Sequence, residues 1–153
     1  GWNGTADILY AIRTNAGNRG IEADNNSDNH LASPISFPTI KNLTLIGAGT
    51  NDTSAEAQAF KLRVGTKGKF DNVVLKGWKT GFDVQHDESI GYAGTDLLAT
   101  NVKFEEVTTK SKGTNTAGTG VDVAKVFTES TSATGAGNGS GVPTWTQGWT
   151  KGL

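Results

Sequence analysis

One short pattern of apolar and polar positions recurs along this chain. An apolar residue is followed by any residue, then Asn, an apolar residue, any residue and a third apolar residue. The three clear copies are Ile40-Lys41-Asn42-Leu43-Thr44-Leu45, Phe70-Asp71-Asn72-Val73-Val74-Leu75 and Ala99-Thr100-Asn101-Val102-Lys103-Phe104. A degenerate first copy is Thr5-Ala6-Asp7-Ile8-Leu9-Tyr10. A repeat of roughly 30 residues is typical of stacked architectures, in which each repeat buries its apolar side against its neighbours.

The pattern predicts a corner at the Asn. A flat strand keeps strict two-residue alternation, but here the apolar positions change phase at this residue. Asn tolerates the left-handed backbone conformation that a sharp bend requires. We therefore expect Asp7, Asn42, Asn72 and Asn101 to lie in one column, where stacked side chains hydrogen-bond along the axis.

A second strand series follows each corner after a variable gap. Its members place two apolar residues around one charged residue, with the two-residue period of a half-buried strand. They are Gly20-Ile21-Glu22-Ala23, Ala59-Phe60-Lys61-Leu62, Gly81-Phe82-Asp83-Val84 and Gly120-Val121-Asp122-Val123. Two strand series per repeat predict an all-β fold, a right-handed parallel β-helix of about four coils with long loops. A β-sandwich is the alternative, but it gives no reason for a repeated Asn corner.

The chain divides into coils and a C-terminal extension of the same domain. Residues 1–127 are predicted to form the coils, with loops at 25–38, 48–58, 85–96 and 110–119. Residues 128–153 begin with a Thr-, Ser- and Gly-rich excursion, after which Trp145 and Trp149 are expected to cover the open end of the core. Because the first residues already belong to the repeat, we expect the C-terminal part of a longer solenoid.

Charge and composition narrow the choice of partners. The 153 residues carry 14 Lys plus Arg against 15 Asp plus Glu, with no block of like charge, which disfavours nucleic acid as a partner. The apolar runs are far shorter than the roughly 20 residues of a membrane span, so no membrane insertion is expected. The chain contains no Cys, which excludes disulfides, thiolate metal sites and a Cys nucleophile.

Charged residues of the second strand series form a candidate carbohydrate face. Stacked in register, they make two outward rows: Glu22, Lys61, Asp83 and Asp122, then Asp24, Arg63, Gln85 and Ala124. Carboxylates beside basic groups are the residues that polysaccharide-cleaving enzymes use for acid and base chemistry. Opposite charges on neighbouring strands also simply decorate solvated sheets. No catalytic residue is assigned, and any enzyme activity would be that of a polysaccharide lyase or hydrolase.

Calcium binding and sugar stacking each have further candidate residues, whereas zinc binding does not. Asp24, Asn26 and Asp28 supply oxygen atoms at alternate positions, the spacing with which a turn can wrap Ca²⁺, although an EF-hand would require Glu where Ile35 stands. His30 and His86 are the two histidines, too few for a His-rich zinc site. Trp2, Trp78 and Tyr92 are candidates for stacking on sugars if they are exposed. Calcium is thus the one cofactor that the sequence suggests.

The chain resembles a family of secreted or outer-membrane-associated bacterial β-helix proteins, often lipoproteins of Bacteroidetes and marine proteobacteria. The residues that carry the resemblance are Gly1-Trp2-Asn3-Gly4-Thr5, Arg19 to Asn25, Leu62 to Thr66 with Asn72-Val73-Val74, and Trp145 to Leu153. The resemblance implies a pectin-lyase-like fold, further N-terminal coils, and a location outside the cell or at the outer-membrane surface of a Gram-negative bacterium. This family has no generally assigned activity.

These observations predict a structural or adhesive β-helix module. Its expected partners are the rest of a longer β-helix or a second copy that stacks end to end. The alternative is a polysaccharide-binding or polysaccharide-degrading protein, and fold alone does not decide between the two.

Overall fold

The structure is a computed structural model that describes residues 2–153. Gly1, the first residue of the predicted coils and of the family resemblance, lies outside the described residues. The elements are β1 (Thr5–Ile12), β2 (Ile21–Asp24), β3 (Thr39–Ile46), β4 (Gln58–Arg63), β5 (Gly68–Gln85), α1 (Asp87–Tyr92), β6 (Leu97–Thr114), β7 (Gly120–Val121) and β8 (Phe127–Glu129). Short 3₁₀ helices span Ala124–Val126 and Thr144–Thr146.

Parallel strands curl around one axis and build a β-helix, as the sequence predicts. The first series pairs in the order β1, β3, β5 and β6, and the second in the order β2, β4, β5 and β6. The first two coils each use two separate strands, whereas β5 and β6 run through both series without interruption. A loop between the series is therefore present in the early coils and replaced by a bend in the later ones.

Aligned apolar side chains fill the inside of the coils. One row consists of Leu43, Val73 and Val102, which face one another across neighbouring strands and are each at most 1% exposed. In the second series the buried rings of Phe60 and Phe82 stack with their centroids 4.8 Å apart. Repetition of apolar residues at the same position of each coil thus produces a continuous core, since side chains of one row contact each other along the axis.

The predicted corner is present at all three Asn residues. Asn42, Asn72 and Asn101 have φ angles of 53°, 54° and 54°, in the left-handed region. Asp7 was wrongly placed in this column: it pairs with Lys41, and Ile8, with φ 58°, occupies the corner. The pairing of β1 with β3 sets the position of the bend. Ile8 therefore adopts the left-handed conformation, although Asp tolerates that conformation better than Ile.

Side-chain hydrogen bonds link the corner residues in part. The Asn42 amide donates to Asp7 Oδ1 at 2.7 Å, and the Asn72 amide donates to Asn42 Oδ1 at 2.7 Å. Asn101 departs from this series, because its amide donates to Asp71 Oδ1 at 2.8 Å. The side chain of Asp7 therefore joins the bonded series although its backbone lies one residue before the corner.

Residues 130–141 run along the outer surface of the first strand series. The backbone N–H groups of Thr134 and Gly135 donate to Asn72 Oδ1, and Ala136 N donates to Thr44 Oγ1 at 2.9 Å. Thr44 is fully buried beneath this segment. The predicted loose excursion is thus attached to the coils by hydrogen bonds that its composition alone does not reveal.

Candidate functional site

The outward positions of β2, β4, β5 and β6 carry the first candidate row. Cross-strand partners are Glu22 with Lys61, Lys61 with Asp83, and Asp83 with Lys112. In the second row, Asp24 pairs with Arg63. The side chains of each row lie on one face because residues in register on parallel strands point the same way.

Asp122 does not belong to this face, contrary to the sequence prediction. Strand β6 continues to Thr114 and supplies Lys112 as the fourth member of the row, whereas Gly120 and Val121 turn back and pair antiparallel with β6. Asp122 is exposed in the next turn, where its Oδ1 accepts a hydrogen bond from Ala124 N. The end of β6 is rich in Thr, Ser and Lys, so it lacks the apolar alternation that would mark a strand, and residues 110–114 were predicted as loop.

Arginine side chains bridge the carboxylates of the face. Arg63 Nη2 lies 2.8 Å from Glu22 Oε1, and Arg63 Nε lies 2.9 Å from Asp24 Oδ1. Arg19 contacts both Glu22, at 2.6 Å, and Glu56. The hydrogen bond to Asp24 holds the pKa of Arg63 above its ordinary value. Two arginines and three carboxylates near β2 therefore pair with one another.

Glu56 joins this network from the loop before β4. Partial burial raises the pKa of Glu56, but the hydrogen bond from Arg19 and the charge of Lys61 outweigh burial and leave that pKa below its usual range. Lys61 Nζ lies 3.3 Å from Glu56 Oε2. A carboxyl group held in its ionised form is a poor proton donor near neutral pH, so Glu56 is unsuited to act as a general acid.

Asp83 differs from the other acids of the face because it is only 2% exposed. The Gln85 amide donates to both of its carboxylate oxygens, at 3.2 and 3.1 Å. Its cross-strand neighbours Lys61 and Lys112 lie on either side. Asp83 thus lies between Lys61 and Lys112 in the row, and Lys112 is the exposed cation at the end of the row.

Two oxygen atoms of the predicted calcium turn, those of Asp24 and Asn26, have protein partners. Asp24 Oδ1 accepts from Arg63, and Asn26 Oδ1 accepts from the backbone N–H groups of Asp28 and Asn29, at 2.8 and 3.0 Å. Within residues 2–153, no group of three or more His, Cys, Asp or Glu side chains is arranged to hold a metal ion. Calcium binding at this turn stays a prediction.

The structure brings together a histidine cluster that the sequence analysis missed. His30 Nδ1 lies 2.8 Å from Glu88 Oε2, and the rings of His30 and His86 meet edge to face at 4.9 Å. His86 Nδ1 accepts a hydrogen bond from Val64 N, so the neutral ring carries its proton on Nε2. The hydrogen bond with His30 lowers the pKa of Glu88. The hydrogen-bonded His30 and Glu88 can exchange a proton. The sequence analysis missed the cluster because His30 and His86 are far apart in sequence, and only the fold of the 25–38 loop joins them.

The candidate sugar-stacking aromatics occupy different environments. Trp78 is 1% exposed and its indole N–H donates to Leu45 O, so it belongs to the core. Trp2 is 50% exposed at the first coil, and Tyr92 is half-buried beneath Lys67 Nζ at 4.6 Å. Trp145 and Trp149 are 39% and 70% exposed, and the expectation that they cover the open end of the core stays a prediction.

Parallel pairing, an apolar interior and a charged outer face define the protein as a parallel β-helix. The sequence model of the pectate-lyase like beta helix domain matches residues 1–150, and the chain belongs to that family. In the same comparisons, no curated protein and no solved structure matches the chain. No helix within residues 2–153 is long and apolar enough to cross a membrane.

Proposed function

We propose that this protein is a structural or adhesive β-helix module that acts outside the cell or at its surface, and that its first coil docks a further coil of β-structure. The observation that carries the proposal is the outer edge of β1. Within the described residues β1 pairs with β3 alone, and Ile8, Leu9 and Ile12 are 48%, 38% and 47% exposed. An unpaired edge of this kind favours addition of another strand.

The shape of this edge favours another coil over an unrelated partner. Leu9 continues the inward row of Leu43 and Val73, so the first coil displays the rows of the solenoid core at its open end. A groove of about 470 Å³ lies there, lined by Trp2, Leu9, Ile21, Glu22, Ala23, Asp24, Ser36, Pro38 and Ile40. A parallel coil would extend these rows and satisfy the free backbone groups of β1 together.

The first prediction concerns self-association of the chain through this edge. In solution, the only coil available to an isolated chain is that of a second copy, so we expect a mass above the 16.0 kDa monomer that rises with concentration. Leu9→Lys should return the protein to the monomer, because it places a charge in the apolar row. Light scattering after size-exclusion chromatography measures the mass.

Leu31→Lys is the matched control, because Leu31 is 58% exposed in a loop and lies outside the groove. This variant should associate like the unmodified protein. A monodisperse 16 kDa species at every concentration would refute the docking proposal.

Polysaccharide binding at the charged face is the second candidate function. Membership of a pectate-lyase-like family supports a polysaccharide-related role. On the face itself, Lys112 is an exposed cation beside the buried Asp83, which suits an acidic sugar better than a neutral one. Internal pairing of Glu22, Asp24 and Glu56 with arginines favours binding over acid–base cleavage.

The second prediction is that polygalacturonate retards the protein in affinity electrophoresis and that Lys112→Ala weakens this retardation. Lys125→Ala, which removes an exposed cation outside the face, should leave it unchanged. Release of reducing ends would identify an enzyme instead. Equal retardation of both variants would show that the candidate face does not bind.

A further inference from the structure

Residues 130–150 form an uncharged surface on an otherwise charged protein. This segment contains no Lys, Arg, Asp or Glu, and it consists mainly of Thr, Ser, Gly, Asn and Gln with two tryptophans. Hydroxyl and amide groups donate and accept hydrogen bonds without a preference for an ionic ligand. The chemistry of the segment therefore differs from that of the charged face on β2, β4, β5 and β6.

Trp145 and Trp149 form an aromatic platform on this surface. Their ring centroids lie 6.0 Å apart with 24° between the planes. Trp145 is 39% exposed and Trp149 is 70% exposed. Large exposed aromatic surfaces often mark a binding site, because leaving them in water is unfavourable. The ring of Trp145 stacks on one face of the Trp149 ring, and the other face of Trp149 is left to the solvent.

Hydrogen bonds hold the platform in place. Trp149 Nε1 donates to Trp145 O at 2.5 Å, and Trp145 Nε1 donates to Ala136 O at 2.7 Å. Ala136 is 2% exposed and its N–H donates to Thr44 Oγ1 on β3. Both indole N–H groups are thus used within the chain, so ring faces rather than polar edges are offered to a ligand. A ring fixed before binding loses little conformational entropy when the ligand arrives.

We propose that the Trp145–Trp149 platform binds the apolar face of a neutral sugar residue in a glycan chain. A pyranose presents axial C–H groups on one face and hydroxyl groups around its rim. The C–H face matches the exposed ring of Trp149, and the rim hydroxyls match the exposed side chains of Thr144 and Gln147, which lie close to the two tryptophans in sequence. Residues 130–150 carry no cation for an anionic sugar and no carboxylate for a cationic ligand, and Lys151 is the one charged residue that follows them. The site goes beyond the charged face, since it selects the neutral class of polysaccharide.

Affinity electrophoresis in gels that contain a neutral glucan, a neutral galactan or polygalacturonate tests the proposal. We expect a neutral glycan to retard the protein and Trp149→Ala to weaken that binding by about tenfold, which corresponds to the loss of one aromatic contact. Soluble oligosaccharides of the retarding glycan should shift the fluorescence of the protein and not that of Trp149→Ala. Trp2→Ala removes an exposed tryptophan before β1, outside the 130–150 segment, and should bind like the unmodified protein.

The variants separate this proposal from the charged-face function. Lys112→Ala should keep binding to the neutral glycan, whereas Trp149→Ala should keep any retardation by polygalacturonate. The proposal is overturned if no neutral glycan retards the protein, or if Trp149→Ala binds as well as the original. It is also overturned if Trp149→Ala abolishes self-association without any glycan binding, because the platform would then be a contact between copies.

Discussion

Phe82→Ala is expected to lower the free energy of unfolding by about 3–5 kcal/mol, the range for removal of a fully buried aromatic ring. Phe82 is fully buried and stacks between Phe60 and Phe127, with ring centroids 4.8 and 5.7 Å away. Removal of the ring leaves a cavity that spans neighbouring coils, and strands paired on both sides of β5 prevent the core from collapsing into it. Urea denaturation followed by circular dichroism measures the loss.

The matched control is Leu31→Ala, because Leu31 is 58% exposed in the loop before β3. We expect its unfolding free energy to change by less than about 0.5 kcal/mol. A Phe82→Ala protein as stable as this control would mean that the aromatic stack does not contribute to the core, and the assignment of the interior would be wrong.

Asn72→Ala is expected to lower the free energy of unfolding by about 2–4 kcal/mol, the sum of a left-handed backbone penalty and lost hydrogen bonds. Asn72 has φ 54°, its amide donates to Asn42, and its Oδ1 accepts from Thr134 N and Gly135 N. Because these last bonds attach the 130–141 segment, the variant should also release that segment. A protease of broad specificity should cleave it faster than in the unmodified protein.

Two variants separate the causes of this effect. Asn72→Gly should lose less stability than Asn72→Ala, because glycine adopts positive φ without a steric penalty, but it should release the segment equally. Asn101→Ala removes a corner residue whose amide donates to Asp71, so it should destabilise the coil and leave the segment attached. Equal protease resistance of all three proteins would contradict the attachment role of Asn72.

Glycan binding and segment attachment are linked by this geometry. The platform of Trp145 and Trp149 is connected to the coils through Ala136 and Thr44. We therefore expect any loss of attachment at Asn72 to weaken binding at the platform, since the rings would no longer be held in one orientation. The corner residue and the proposed site are coupled although the side chain of Asn72 hydrogen-bonds to Asn42, Thr134 and Gly135 and to neither tryptophan.

The local pattern predicted the architecture because coil stacking repeats the same local environment. Asn42, Asn72 and Asn101 appear at equivalent positions for one reason, the left-handed bend that each coil requires. The paired apolar residues around each corner fixed the inward rows, and the second strand series placed Glu22, Lys61 and Asp83 in one outward row. A structural requirement that recurs in every coil produces a repeated residue pattern, and a single sequence is enough to show such a pattern.

Positions that break the repeat were not predictable in this way. Ile8 rather than Asp7 occupies the first corner, and Lys112 rather than Asp122 completes the charged row. In both cases the residue type was misleading and the register with the neighbouring strand decided the place. The polar end of β6 has no apolar alternation to reveal it, because residues 108–112 are exposed or half-buried and not packed in the core.

Contacts between distant loops depended entirely on the tertiary structure. His30 reaches Glu88 and His86 because the 25–38 loop folds over the end of β5, and no local pattern encodes that path. The same holds for residues 130–141, whose Gly-, Ser- and Thr-rich composition predicts flexibility until Asn72 and Thr44 supply partners. Sequence by itself determined the coil, since short-range periodicity sets strand, corner and inward face. The tertiary structure alone decided which loops meet, because those contacts join residues whose separation in sequence carries no periodic signal.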